Sequence, residues 1–360
     1  MVHQTLRRAL KKLSSQKYGE PAYRLLGMSQ EKRAQQRLTW SELPAALQLW
    51  VEETLGGPVV TSESQAGGFS LGTADRLVTE HGGRAFLKAI SAKKHPVTAD
   101  LHRQEAKVSA VFTKNAPVAG FLGFTEYQSA DGGTWVALLL ADIEGRHPSS
   151  PWQPSELKAV FAALDALRDL DVDSALELES AAESVGPELK FWHRLAEGVN
   201  LDDLQYVKDT PYYRDLIELL PLVNKGAAGL AIEVDEQVAS QLSGNEYVHT
   251  DLRADNILIT PEGQAVLVDW PWANIGNADL DLGLIAVDAL IQDDQLTERQ
   301  VLELMPAHRC PSLEFLHGCV VALAGYYLYA SMQKPSPSTN TSLIEIRAYR
   351  ALALLHRLFG

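Results

Sequence analysis

The chain has 360 residues, of which 46% are hydrophobic and 22% are charged, and its formal net charge is -14. This length and apolar content are sufficient for two packed domains, which excludes a largely disordered chain. The negative charge disfavours nucleic acid as a partner, because phosphate would be repelled, and it would attract a cationic small molecule instead.

The first 40 residues form a basic segment. Nine of the first 37 are Lys or Arg and two are acidic, so the rest of the chain is more acidic than the total suggests. The segment lacks sustained apolar periodicity, which predicts an N-terminal arm over residues 1–40. Its charges interrupt the apolar core that a signal peptide requires, and no part of the chain has roughly 18 uncharged apolar residues in a row. We therefore predict a cytoplasmic protein without a membrane partner.

Residues 41–141 have the pattern of a small β-rich lobe. A helical pattern that follows Pro44 stops at Gly56-Gly57-Pro58, and strands predominate from there. The turns at 80–83 and 129–133 contain glycine and indicate two hairpins. One helix, predicted at about residues 99–115, lies between the hairpins because apolar residues recur there at helical spacing.

Residues 142–360 are predicted to be mainly helical. Helices are expected at 155–170, 187–200, 212–224, 279–293, 297–305, 312–332 and 342–358. One β-rich segment, 247–270, interrupts them. The fold class is therefore α+β, with a small β-rich N-lobe and a larger, mainly helical C-lobe that meet near residues 140–145. Cys310 and Cys319 match no metal motif, and we expect both to be reduced and buried.

The strongest chemical pattern lies in the β-rich segment 247–270. It reads H-x-D-x-x-x-x-N, with Asp251 and Asn256, and continues through a hairpin into a strand that ends at Asp269. Phosphoryl transfer requires a carboxylate that orients and deprotonates the attacking hydroxyl, and oxygen ligands for the Mg²⁺ that neutralises the phosphates. Because the hairpin returns Asp269 to the side of Asp251, we predict Asp251 as the catalytic base, and Asn256 and Asp269 as the metal ligands.

With this spacing the sequence resembles the aminoglycoside phosphotransferase-like family, the small-molecule kinases of the protein-kinase-like superfamily. The resemblance covers most of residues 58–290 and includes the later Asp279-Leu-Asp-Leu stretch. It implies a bilobal kinase-like fold, ATP or GTP as phosphate donor with Mg²⁺, and a structural role for Asp281 near the catalytic loop. Thr250 and Arg253 depart from the family, which more often has Gly and His at these places.

The N-lobe supplies the residues expected to bind the nucleotide. A glycine-bearing turn between two predicted strands contains Gly67, Gly68, Phe69 and Ser70. Glycine allows the backbone to approach phosphate groups closely. The resemblance implies that Lys88 contacts the α- and β-phosphates and that Glu105, on the following helix, holds Lys88 in place.

Residues 135–145 are predicted to form the last strand of the N-lobe and the hinge between the lobes. The adenine ring would bond to backbone groups between Leu140 and Asp142. Recognition through the backbone does not separate ATP from GTP.

The sequence therefore predicts a phosphotransferase that acts on a hydroxyl of a small polar molecule. Aminoglycosides, sugars, amino sugars and choline-like alcohols are all open as acceptors, and the acidic chain suits a cationic one. A protein acceptor is disfavoured, because Asp279 follows Asp269 by ten positions and leaves no room for a long activation segment.

The alternative hypothesis is a nucleotide-binding regulator or pseudokinase that acts through a protein partner. The basic arm would be the surface for that partner. An intact set of candidate catalytic residues argues against this alternative: Lys88, Glu105, Asp251, Asn256 and Asp269.

Overall fold

The architecture comes from a computed structural model that describes residues 37–65, 72–129, 132–173, 175–334 and 341–360. These residues form a β-rich lobe followed by a mainly helical lobe, so the predicted α+β bilobal fold class is confirmed. Most of the predicted N-terminal arm, and the turn that contains Gly67, Gly68, Phe69 and Ser70, lie outside the described residues.

The N-lobe is built on a five-stranded antiparallel sheet with the strand order β1-β2-β3-β5-β4. The strands are β1 (Val59–Ser64), β2 (Thr73–Thr79), β3 (Arg84–Ser91), β4 (Phe121–Gln128) and β5 (Thr134–Leu140). Helix α1 (Ala45–Leu55) packs on one face of the sheet and α2 (Pro96–Val111) on the other. The two predicted hairpins are present as β2-β3 and β4-β5.

Alternation along β3 decides which side chains reach the space between the lobes. Ala85, Leu87 and Ala89 are fully buried in the cluster that includes α1. Neighbouring side chains of a strand point to opposite faces, so Phe86 and Lys88 point toward α2 and the cleft. The strand thereby fixes a lysine on the inner face of an otherwise apolar sheet.

The C-lobe surrounds one long apolar helix. Its helices are α3 (Pro154–Arg168), α4 (Ala181–Ser184), α5 (Gly186–Leu189), α6 (Phe191–Leu195), α7 (Tyr213–Gln237), α8 (Asp279–Gln292), α9 (Glu298–Leu302), α10 (Leu313–Met332) and α11 (Thr341–Phe359). Helix α10 packs against α6, α7, α8 and α11. It is long and apolar enough to cross a membrane by composition, but 72% of its apolar window is buried within the fold, as in a core helix.

Two short antiparallel strand pairs carry the motif 247–270. They are β6 (Glu246–Val248) with β9 (Asn274–Gly276), and β7 (Ile257–Ile259) with β8 (Ala265–Leu267). The β7-β8 hairpin bonds to segments that adjoin the N-lobe: Ile259 exchanges backbone hydrogen bonds with Arg146, and the amide of Leu267 donates to Pro117. The hairpin is therefore held at the junction of the lobes.

Two of the predicted helices differ from the structure. The helix expected at 187–200 is two short helices, α5 and α6, and Pro187 lies in the first turn of α5. The helix expected at 212–224 continues to Gln237 through Pro221 and two glycines. Its apolar stripe (Ala227, Ala231 and Val234) is buried in the C-lobe core. Tertiary packing therefore outweighs the low helix propensity of this stretch.

The expectation for the cysteines is wrong in one case. Cys319 is buried in α10, as expected, but Cys310 is exposed. Cys310 lies in the connection that precedes α10, where its side chain is not needed to fill the core.

Candidate active site

The catalytic loop, residues 249–256, is held in a strained backbone conformation. Thr250 has a φ of 63°, a left-handed value that is uncommon for a residue other than glycine. The buried carboxylate of Asp281 accepts hydrogen bonds from the amides of His249 (2.6 Å) and Thr250 (3.0 Å). The Thr250 hydroxyl donates to the carbonyl of Trp272 (2.7 Å). These bonds offset the cost of the strained residue that immediately precedes Asp251.

The histidine of the motif fixes the loop to the neighbouring strand end. His249 Nε2 lies 3.0 Å from the carbonyl oxygen of Val268, so this nitrogen carries the proton and donates. Nδ1 then accepts from the amide of Asp251 at 3.4 Å. The ring packs against Trp270 with 4.5 Å between centroids.

The Asp251 carboxylate has polar partners on both of its oxygens. Arg253 Nη1 donates to Oδ1, and Asn256 Nδ2 lies 3.3 Å from Oδ2. Asn256 also donates to the Asp251 carbonyl at 2.7 Å. Burial raises the pKa of Asp251, and the positive charge of Arg253 acts against this rise. One side chain, Arg253, also bonds to Asp255 at 3.0 Å, so it bridges two carboxylates of the loop.

Asp269 returns to the catalytic loop at the end of the β7-β8 hairpin. The amide of Val268 donates to the Asn256 carbonyl (3.0 Å), which places the next residue, Asp269, beside Asn256. Asp269 itself has a φ of 69°, a second left-handed value at a residue with a side chain. Backbone strain of this kind is concentrated at functional sites.

Lys88 joins the two lobes through ion pairs. Its Nζ lies 2.7 Å from both oxygens of Glu105 on α2 and 2.6 Å from Oδ1 of Asp269. Burial favours the neutral form of Lys88, but the carboxylates of Asp269 and Glu105 outweigh it and raise the pKa of the lysine. Lys88 is therefore charged and fixed in position, as a lysine that contacts phosphate must be.

These side chains border one cavity of about 670 Å³ between the lobes. Lys88 and Glu105 lie on the N-lobe side, and Asp251, Asn256 and Asp269 lie on the C-lobe side. This volume falls in the range of pockets that bind cofactors and other small ligands.

The hinge borders the same cavity. Its Asp142 side chain has a role in holding the hinge that the sequence did not indicate. Leu140, 3% exposed, contributes to the apolar cluster beside the cleft. The Asp142 carboxylate accepts from Arg76 Nε (2.7 Å) and Arg84 Nη2 (2.6 Å), which project from β2 and β3. The amide of Ala141 is already bonded to Gly120 (2.7 Å). The hinge is thus clamped to the N-lobe sheet.

Three features of the site were not predicted. Arg76 and Arg84 were not expected to hold the hinge. The signal in the sequence was their position on two strands that were predicted to pair as a hairpin. The contact between Arg253 and Asp251 was not expected, although Arg253 was noted as a departure from the family. Trp272 borders the cavity with 52% of its surface exposed. The Arg253 contact lies within the motif, whereas the contacts of Arg76 and Arg84 join distant segments.

The chain matches the profile of the phosphotransferase enzyme family over residues 72–309. It belongs to that family. The resemblance noted from the motif is therefore confirmed. No curated protein sequence matches the chain.

Solved structures of other phosphotransferases share the fold. An aminoglycoside phosphotransferase from Alicyclobacillus acidocaldarius aligns with a TM-score of 0.54 and 16% identity, over 89% of this chain and 96% of its own. A spectinomycin phosphotransferase in complex with ADP and spectinomycin aligns with a TM-score of 0.52 and 12% identity, over 87% of this chain and 97% of its own. At these identities the likeness establishes the kinase-like fold.

Proposed function

We propose that this phosphotransferase moves the γ-phosphate of ATP or GTP to a hydroxyl of a small polar molecule, with Asp251 as the catalytic base. The observation that carries the proposal is the shared cavity. The lysine of the N-lobe borders the same space as the candidate base and the candidate metal ligands of the C-lobe. A nucleotide and an acceptor would meet there.

Asp251 suits the role of base by position and by charge. Its carboxylate borders the cavity and its backbone is fixed by the bonds to His249 and Asn256. The attacking hydroxyl would donate to one carboxylate oxygen and lose its proton to it as the bond to phosphorus forms. Each oxygen has one polar contact and can accept a second hydrogen bond, so the hydroxyl would donate beside Arg253 at Oδ1 or beside Asn256 at Oδ2.

The donor atoms of Asn256 and Asp269 fit Mg²⁺. The amide nitrogen of Asn256 is engaged with Asp251, which leaves its oxygen for a cation. Lys88 donates to Oδ1 of Asp269, which leaves Oδ2 for the cation. In the described part of the chain no three His, Cys, Asp or Glu residues form a metal-binding group. Mg²⁺ requires only one or two protein oxygens when phosphates and water complete its shell, and there it would neutralise charge on the transferring phosphoryl group.

The N-lobe residues would hold the nucleotide. Lys88, positioned by Glu105, would contact the phosphates. The apolar wall at Leu140 would lie against the base, and backbone groups near Asp142 would bond to its edge. The phosphate contacts predicted for Gly67, Gly68, Phe69 and Ser70, which lie outside the described residues, complete the proposed set.

The acceptor is proposed to be an aminoglycoside, a sugar or an amino sugar. The family assignment supports a small molecule, and one structural neighbour is a spectinomycin phosphotransferase in complex with ADP and spectinomycin. The formal charge of -14 favours an acceptor with amino groups.

The test is phosphate transfer from ATP and GTP with Mg²⁺ to a panel of aminoglycosides, amino sugars, sugars and amino alcohols. Asp251→Asn should reduce kcat by about 10²- to 10⁴-fold on the best acceptor and leave nucleotide affinity unchanged. Asp294→Asn, an exposed acid outside the cavity, is the matched control and should behave as the wild type. Unchanged turnover in Asp251→Asn would refute the assignment of the base, and nucleotide binding without transfer to any acceptor would favour a regulator.

A further inference from the structure

A histidine lies in the wall of the interlobe cavity, just after the hinge. His147 directly follows Arg146, whose backbone exchanges two hydrogen bonds with Ile259 of β7 (2.7 and 3.0 Å). These bonds fix the backbone of the segment against the β7-β8 hairpin. His147 and Leu258, the middle residue of β7, both border the cavity. The position of His147 is therefore set by the hinge and the hairpin together.

One ring nitrogen of His147 has a structural partner. Nδ1 lies 3.0 Å from the carbonyl oxygen of Ile257. A carbonyl oxygen only accepts, so Nδ1 carries a proton and donates. In a neutral imidazole the other nitrogen, Nε2, then has a lone pair and accepts. Among the described residues the ring makes no hydrogen bond besides the one through Nδ1. His147 is exposed, so the nitrogen left for a ligand in the cavity is Nε2.

The chemistry of Nε2 selects one part of a nucleoside triphosphate. A hydrogen-bond acceptor requires a donor, and the ionised oxygens of a phosphate group are acceptors only. The donors of the nucleotide are the amino groups of its base and the hydroxyls of its ribose. In the proposed site the base lies against Leu140 and bonds to the hinge backbone near Asp142. The ribose hydroxyls are the donors that remain.

The order of the strands also favours the sugar. Strand β7 lies between β8 and the segment with His147, because β8 pairs with one edge of β7 and Arg146 pairs with the other. Neighbouring strands lie about 4.8 Å apart, so this segment lies about 10 Å from the strand that leads to Asp269. The ribose of a nucleotide stands between the base and the phosphates. With the base at the hinge and the phosphates at Lys88 and Asp269, the ribose falls on the side of His147.

We propose that Nε2 of His147 accepts a hydrogen bond from a ribose hydroxyl of the donor nucleotide. The histidine then recognises the sugar, whereas the hinge backbone recognises the base. The bond between Nδ1 and Ile257 fixes the tautomer that this recognition requires. The inference rests on the proposed function, since it requires a nucleoside triphosphate in the cavity.

The experiment compares the affinities of ATP, 2′-deoxy-ATP and 3′-deoxy-ATP by calorimetry in the presence of Mg²⁺. In the wild type, removal of the contacted hydroxyl should weaken binding by about 2- to 10-fold, as expected for one neutral hydrogen bond. His147→Asn keeps an amide that can donate to Ile257 and removes the acceptor at Nε2. It should weaken ATP binding by the same factor and leave the affinity of that deoxy analogue unchanged.

Two further variants separate recognition from structure. His147→Gln places an amide oxygen near the position of Nε2 but loses the bond to Ile257, so it should retain part of the preference for ATP over the deoxy analogue. A structural role predicts the opposite order, with His147→Asn the less affected variant. His193→Asn is the matched control and should behave as the wild type, because His193 is an exposed histidine that bonds to Asp235 outside the cavity.

The outcomes are distinct. Equal weakening of all three nucleotides in a folded His147→Asn protein would overturn this inference, as would an unchanged preference for ATP in that variant. A wild type that binds both deoxy analogues as tightly as ATP would overturn it without recourse to any variant. Each of these results leaves the proposed phosphotransferase function intact, whereas a wild type that binds none of the three nucleotides would overturn both. Thermal unfolding shows which variants are folded.

Discussion

Lys88 on β3 and Asp269 after β8 form an ion pair of 2.6 Å between residues 181 positions apart. Glu105 holds the other side of the lysine, so one ammonium group connects the sheet, α2 and the end of the β7-β8 hairpin. The pair places the candidate phosphate ligand next to the candidate metal ligand. It also means that a cation bound by Asp269 shares this carboxylate with Lys88.

Replacement of Asp269 should distinguish the role of a metal ligand from that of the catalytic base. We expect Asp269→Asn to abolish the increase in nucleotide affinity that Mg²⁺ produces, because the neutral amide is a weak ligand for a hard cation. Calorimetric titration of ATP with and without Mg²⁺ measures this. Asp251→Asn is the matched control and should retain the Mg²⁺ effect; an Asp269→Asn protein that also retains it would count against a metal role for Asp269.

The Asp281 carboxylate should support the strained catalytic loop. In Asp281→Asn one of the two amides of His249 and Thr250 loses its acceptor in a buried site. We expect the free energy of unfolding to fall by about 1–3 kcal/mol, and kcat to fall because Asp251 loses its alignment. Denaturant titration and steady-state kinetics measure the two effects. Asp279→Asn, on the same helix but bonded to Arg168, should leave kcat close to that of the wild type.

Two glycines in helices of the C-lobe should respond in opposite directions to the same substitution. A Cβ on Gly325 of α10 would lie 2.7 Å from the ring of Trp192, which is fully buried. Gly325→Ala should therefore destabilise the protein by about 1–3 kcal/mol through overpacking. A Cβ on Gly229 of α7 meets nothing within 4 Å, so Gly229→Ala should stabilise it by about 0.5–1 kcal/mol. Thermal unfolding of both variants tests the pair, and destabilisation by Gly229→Ala would show that α7 packs differently.

His317 should make a pH-dependent contribution to stability. Its Nδ1 lies 2.9 Å from Glu298 of α9 and its Nε2 lies 3.4 Å from Glu233 of α7, so it joins both helices to α10. The hydrogen bond to Glu298 raises the pKa of His317 above its usual value of 6.5. A raised pKa in the folded state gives a contribution that is complete below pH 6.5 and is lost as the pH rises through the folded-state pKa.

The test is the stability difference between the wild type and His317→Gln across this pH range. The side chain is 42% exposed, so solvent screening keeps the expected difference at low pH below about 1 kcal/mol. Denaturant titrations between pH 5 and pH 9 should show the difference shrinking with rising pH. A difference that is constant with pH would contradict a charged pair.

The sequence by itself determined the fold class, the family and the chemical identity of the candidate site. The catalytic motif and the hairpin after it are local, so their spacing alone predicted that Asp251, Asn256 and Asp269 would lie together, and all three border one cavity. The resemblance to the family likewise implied Lys88, and the alternation along β3 places it on the cleft side of the sheet. Periods of two and about 3.6 residues are properties of the backbone, and they can be read without knowing what packs against each face.

Only the tertiary structure decided the contacts between distant segments. The clamp of Arg76 and Arg84 on Asp142 and the entry of Arg37 into the cavity depend on how the strands, the hinge and the segment before the N-lobe meet in space. The length of α7 was decided in the same way, because burial of its apolar stripe outweighs the helix-breaking tendency of its Pro and Gly residues. Long side chains reach partners that sequence spacing does not encode, so these features follow from packing and charge in three dimensions.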